Sequence, residues 1–241
     1  MRSFPWNRPE RHQTTLDTSA VELRNVDAHN AATLALHKVT FSIDSGTVTA
    51  VIGPNGAGKS TMFALISGRL RPSTGTVATD GPVADVLQAT NIDPQLRLTV
   101  NDVVRMGRYP RRGLLGPMRR ADYSACDEAL DRVDLLELRH QPINELSGGQ
   151  RQRALVAQGI AQQAPVLLLD EPAAGLDVNS QQRILEVIRE EADAGRTVLF
   201  STHQINDVDH ADTVVALSRR CLCCAPPSEA LSNPEVTALF N

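Results

Sequence analysis

GPNGAGKST at 53–61 places three glycines, a lysine and two hydroxyl residues at the spacing of a phosphate-binding loop, G-x-x-x-x-G-K-[ST]. Gly53, Gly56 and Gly58, with Pro54, Asn55 and Ala57 between them, let backbone N–H groups converge on anionic oxygens, and the helix that follows adds its positive end. Lys59 can reach the β- and γ-phosphates of a nucleotide, the Ser60 hydroxyl can ligate Mg²⁺, and Thr61 falls nearer the α- and β-phosphates. A glycine-rich turn that only caps a helix does not call for Lys-Ser after the third glycine. Among 24 basic residues only Lys38 and Lys59 are lysines, so position 59 is one where the arginine used elsewhere was not.

A site that hydrolyses phosphate esters also needs carboxylates near the metal. LLLDEP at 167–172 ends three apolar residues on Asp170 and Glu171. Asp170 is expected to hold Mg²⁺ through water and Glu171 to polarise the attacking water; a plain acidic strand end before Pro172 is the structural alternative. In LSGGQRQR at 146–153, Ser147 and Gln150 form an S-x-x-Q capping box that starts a helix. Capping alone leaves Gly148 and Gly149 unexplained, because successive glycines cost helix stability. They leave first-turn N–H groups open to a large anion, which makes this helix end a second phosphate site.

These residues need a scaffold. TVTAVI (47–52) is a continuous apolar run, as in a strand covered on both faces, and the glycine-rich turn and a helical pattern follow it. Further buried runs at PVLLLD (165–170), TVLFST (197–202) and ADTVVALS (211–218), with helical periodicity at Ile184, Val187 and Ile188, predict a mostly parallel sheet. AVELRNV (20–26) and KVTFSID (38–44) alternate apolar and polar residues and predict a small antiparallel β layer. From about 90 to 145 the amphipathic stretches, such as DEALDRVDLLELR (127–139), predict a helical subdomain inserted into the α/β core. The core then spans about 20–89 and 146–241, behind a loose leader at 1–19.

The combination GPNGAGKST, LSGGQ and LLLDEP resembles the ATPase subunits of ABC transporters, over about residues 20–241. The resemblance implies an α/β fold with a P-loop NTPase core, ATP and Mg²⁺ as cofactors, and a head-to-tail homodimer with two sandwiched ATPs. Ser147, Gly148, Gly149 and Gln150 would then clamp the γ-phosphate bound to the opposite subunit. It also implies roles for Gln88 at the metal, for Asp177 of AAGLD at the dimer interface, and for His203 at the γ-phosphate. The family's adenine-stacking aromatic is missing: the matching position is His29 or Asn30, with no Phe, Tyr or Trp between Trp6 and Phe41, so weak discrimination between ATP and GTP is expected.

VVRMGRY within 98–116 resembles the ATPases of zinc, manganese and iron uptake, which favours zinc or manganese as cargo; GRYP is also familiar from siderophore and cobalamin importers. The resemblance implies an integral membrane permease, a periplasmic or extracellular solute-binding protein, and a place on the inner face of the cell membrane. No run of about 18 apolar residues would span a bilayer, and a formal charge of -4 argues against nucleic acid as a partner. A non-transport ABC ATPase would share the motifs, but second cassettes and long coiled-coil inserts are missing. The arginines at 105, 108, 111, 112, 119 and 120 could face lipid headgroups, an acidic coupling helix or solvent. Cys221, Cys223 and Cys224 read as apolar residues of a terminal β turn, with a metal-sensing role as the alternative.

Overall fold

A computed structural model describes residues 19–30, 33–86, 97–112 and 116–239. Residues 1–18 of the leader and Gln88 lie outside them, while Ser19 already belongs to a strand. A six-stranded sheet runs β5 (Val83–Val86), β6 (Val166–Leu169), β7 (Thr197–Thr202), β3 (Val48–Ile52), β8 (Thr213–Leu217), β9 (Cys221–Ala225). All neighbours are parallel except β8 and β9. The three central apolar runs are fully buried because both faces of this sheet are covered.

On one face sit α1 (Lys59–Ile66) and a second, antiparallel sheet ordered β2 (Thr33–Asp44), β1 (Ser19–Asn30), β4 (Thr74–Thr79). Val51, Leu168, Leu199 and Val215 point into that layer and pack with Leu23, Ile43, Met62 and Phe63. The alternate residues Ala50, Ile52, Leu167, Leu169, Val198 and Phe200 point the other way, toward α5 (Gly148–Ala161) and α6 (Val178–Asp193). The period of two along each strand thus divides its side chains between two cores.

Between β5 and α5 the described chain is helical: α2 (Val100–Met106), α3 (Tyr109–Arg112), α4 (Arg120–Arg132) and two short 3₁₀ turns. Arg111, Arg119 and Arg120 are exposed, and Arg108 departs from such a face. Arg108 is 4% exposed; its Nε and Nη2 donate to Asp122 Oδ1 at 3.0 and 2.8 Å, and its Nη1 donates to the Ala161 carbonyl at 2.6 Å. Arg105 lies 4.9 Å over the Tyr123 ring, and Arg111 donates to the Gln163 carbonyl. The guanidinium fork satisfies buried carbonyls and carboxylates that lysine could not reach bidentately. Buried Glu191 of α6, paired with Arg132 of α4 and with Arg196, ties the same helices to the core.

Two further strands, β4 and β5, were not apparent from periodicity, and β1 and β2 extend beyond the alternating segments. The CLCC segment forms β9 rather than a turn. An irregularity between Ala216 and Leu217 sends Cys221 into the core under the antiparallel sheet while Cys223 packs with the other core. The Cys224 thiol approaches the Ser42 carbonyl at 3.7 Å. Among the described residues no group of three or more His, Cys, Asp or Glu could hold a metal ion.

Candidate functional site

β3, β6 and β7 are parallel, so the segments that follow them emerge at one edge of the sheet, where open α/β sheets bind ligands. The phosphate loop follows β3, Asp170 and Glu171 follow β6, and His203 follows β7.

The loop's conformation needs its glycines. Gly53 has φ +153° and Gly58 +102°; a Cβ on Gly53 would lie 2.4 Å from the Leu217 carbonyl oxygen, and one on Gly58 2.4 Å from Leu36 Cδ2. α1 starts at Gly58 with no side chain capping its N-terminus and no acid in its first turn, which leaves its N–H groups free for an anion. Lys59 is 6% exposed, with Nζ donating to the Gly53 carbonyl at 2.7 Å and reaching the Pro54 carbonyl at 3.4 Å. Two neutral acceptors leave this buried ammonium short of a countercharge, and a phosphate supplies one.

The acids are set by a residue that sequence reasoning missed. The register Leu169↔Phe200, carried one residue further, puts Asp170 beside Ser201. Ser201 Oγ donates to Asp170 Oδ1 at 2.6 Å and accepts the Glu171 N–H at 2.8 Å, so one buried hydroxyl fixes both acids. Glu171 has φ +49°, a left-handed backbone that costs a β-carbon residue energy and turns its carboxyl out of the strand line. His203 Nδ1 lies 4.0 Å from Glu171 Oε1. The turn carrying His203 is held by Asp207, 3% exposed, which accepts from Thr202 Oγ1 at 2.5 Å and Gln181 Nε2 at 2.7 Å. The signal for Ser201 was a hydroxyl inside an otherwise apolar strand, a group that must find partners when buried.

A cavity of about 450 Å³ opens over the loop, lined by residues 54–61 and Glu171 and also by Asn30, Thr33, Leu34, Ala35 and Arg219. A second hollow of about 290 Å³ joins Gly53, Pro54 and Asn55 to Glu171 and His203. Of the two positions in place of the aromatic, Asn30 lines the cavity, while His29 Nδ1 is engaged with Ser73 Oγ at 2.9 Å. Among the described residues no aromatic ring lines it.

Ser147, Gly148, Gly149, Gln150 and Asp177 form a separate group that does not line this cavity. The capping box is present: Ser147 Oγ accepts the Gln150 N–H at 3.2 Å and Gln150 Oε1 accepts the Ser147 N–H at 2.9 Å. A Cβ on Gly149 would meet Ser180 Oγ at 2.4 Å and Asp177 Oδ2 at 3.7 Å, which makes Gly149 a packing residue between α5 and α6. A Cβ on Gly148 would meet nothing within 4 Å, so nothing in the chain itself requires glycine there. Asp177 caps α6, and hydrogen bonds from the Ser180 hydroxyl and N–H hold its carboxyl below the usual range.

Residues 36–174 match the family profile for ABC transporters, and the segment includes the loop, Ser147–Gln150 and both acids. The chain belongs to the ABC transporter family. It is an ATP-binding cassette with ATPase activity. It is 37% identical over 223 residues to the manganese transport system ATP-binding protein MntA of Synechocystis sp., covering 88% of this chain and 86% of that protein. It is 36% identical to the chelated iron transport system membrane protein YfeB of Yersinia pestis, covering 88% and 75%. The structure of an ABC transporter assigned to the metal-chelate type, in an inward-facing conformation, superposes with a TM-score of 0.85 at 31% identity, covering 92% of this chain and 89% of the other. No described helix of this cassette is long and apolar enough to cross a membrane.

Proposed function

We propose that this cassette powers metal-ion uptake, with manganese or zinc as cargo, by hydrolysing ATP as a head-to-tail homodimer beneath a separate membrane permease. An external solute-binding protein would deliver the ion, and the cassette would sit on the inner face of the membrane. The observation that carries the hydrolytic part is the convergence of Lys59, Asp170, Glu171 and His203 at one sheet edge, with Lys59 and Glu171 lining a cavity of nucleotide size. The choice of cargo rests on the relatives, two of which are named for manganese and chelated iron transport.

In this reading Lys59 leaves its carbonyl partners for the β- and γ-phosphates, and the bare start of α1 holds the same anion. Mg²⁺ would be held by Ser60 and Asp170, with Gln88 as a third member. The fit is good: the donors are oxygens, as this hard ion prefers, and among the described residues no cation pairs with Asp170. When bound, the ion neutralises charge developing on the phosphates. Glu171 orients and polarises the attacking water, while His203 contacts the γ-phosphate from the neighbouring strand end. Ser147 and Gly148 close the site of the opposite subunit, which gives the open space at Gly148 a use.

Cells deleted for this chain should lose uptake of radioactive manganese or zinc, and regain it with the wild type but not with Glu171→Gln. Uptake of both ions unaffected by deletion would remove the proposed cargo. A metal chelate is the second reading, favoured by the likeness to the metal-chelate type transporter. Selective loss of chelate uptake would establish it.

A further inference from the structure

The wall of the cavity holds a cation that the hydrolytic machinery does not use. Arg219 lines it together with Asn30, Thr33, Leu34 and Ala35. Its neighbour Arg220 is tied to Glu235 at 2.8 Å. Arg219 is exposed, and among the described residues no side chain or carbonyl accepts from its guanidinium.

Its backbone, by contrast, is fixed from both sides. The Arg219 N–H donates to the Ala57 carbonyl of the phosphate loop at 2.9 Å, and its own carbonyl accepts the His37 N–H of β2 at 2.6 Å. φ is +56°, a left-handed conformation that is unusual for a residue with a Cβ and is kept here between two elements of the cavity wall. A planar cation is therefore anchored directly to the loop that would hold the phosphates. Leu34, 37% exposed, adds an apolar surface to the same cavity wall.

We infer that Arg219 is the base-holding residue of this cassette: its guanidinium plane stacks on the adenine in place of the absent aromatic ring. Arginine stacks on π faces through its flat, weakly hydrated group, which lysine lacks. The inference rests on the cavity being the nucleotide site. Because stacking reads a face rather than an edge, Arg219 adds affinity for ATP and GTP alike, and discrimination between them stays weak.

The test is calorimetric titration of ATP and of inorganic tripolyphosphate, both with Mg²⁺, into the full chain carrying Glu171→Gln, with and without Arg219→Ala. Loss of the stack should weaken ATP about fivefold, or 1 kcal/mol at 1.4 kcal/mol per tenfold, and leave tripolyphosphate unchanged. Arg219→Lys, which keeps the charge without the plane, should resemble Arg219→Ala. Arg219→Gly suits the left-handed backbone and should show the same loss in a chain at least as stable, which guards against misfolding. Equal weakening of both ligands would make Arg219 a phosphate contact and overturn the inference, as would unchanged ATP affinity. If the parent chain bound tripolyphosphate and ATP equally, the base would have no holder although the phosphate site stood. Binding of neither ligand would remove the nucleotide site itself.

Discussion

Ser201 shows how much of the site depends on one atom. Its hydroxyl serves Asp170 and the Glu171 N–H together, so Ser201→Ala takes one hydrogen bond from each of the two acids. We expect a drop of about 10- to 100-fold in kcat with a small change in KM, measured by phosphate release, as for other residues that orient ligands from behind. In the proposed mechanism Glu171 polarises the attacking water, so Glu171→Gln should keep ATP affinity and lower turnover by about 10²- to 10⁴-fold. Asn30→Tyr would supply a ring at the cavity wall and should tighten ATP binding by calorimetry; unchanged affinity would place the base elsewhere. The phosphate loop, both acids and the capping box were legible in the sequence because each is a contiguous run with fixed spacing. Ser201 and Arg219 were not: their partners lie 31 residues away and, for Arg219, at Ala57 and His37, which only the fold brings near.

Among the elements, the buried strands and helix α5 were legible from continuous apolar runs and a cap. β5, of four residues with Asp85 among them, carries too few alternations to be read. Of the arginines in the helical segment, the buried Arg108 was not legible because a charge pattern shows no partners; it reaches Asp122 across 14 residues and Ala161 across 53. Truncation as Arg108→Ala removes the cation paired with the fully buried Asp122 carboxylate, which keeps the Arg119 N–H, and should destabilise the chain by about 3–5 kcal/mol in urea unfolding. Cys126 of α4 adds a pH-dependent term: burial pushes its thiol up to about 11. The native state thus favours the protonated form, so this contribution is complete below the unfolded thiol's pKa of about 8.5 and is lost as pH rises toward 11. Iodoacetamide at pH 8 should accordingly label Cys126 only as fast as the protein opens, whereas urea should expose it at once.

For the whole molecule, the proposed function divides each composite site between two places in the chain that do not meet. The loop and Glu171 line one cavity and Glu171 and His203 share the hollow beside it, while Ser147 and Gly148 sit apart from both, with Gly148 facing open space. Two copies arranged head to tail would complete both sites, and this is the central claim. The sequence suggested it only through family resemblance, because spacing along a chain does not say which surfaces meet between chains. Sedimentation of the Glu171→Gln chain with Mg²⁺ and ATP tests it most directly. ATP should drive monomers to dimers, and Ser147→Arg in the same background should bind ATP normally yet stay monomeric; ATP-driven dimers of that double variant at unchanged affinity would contradict the claim.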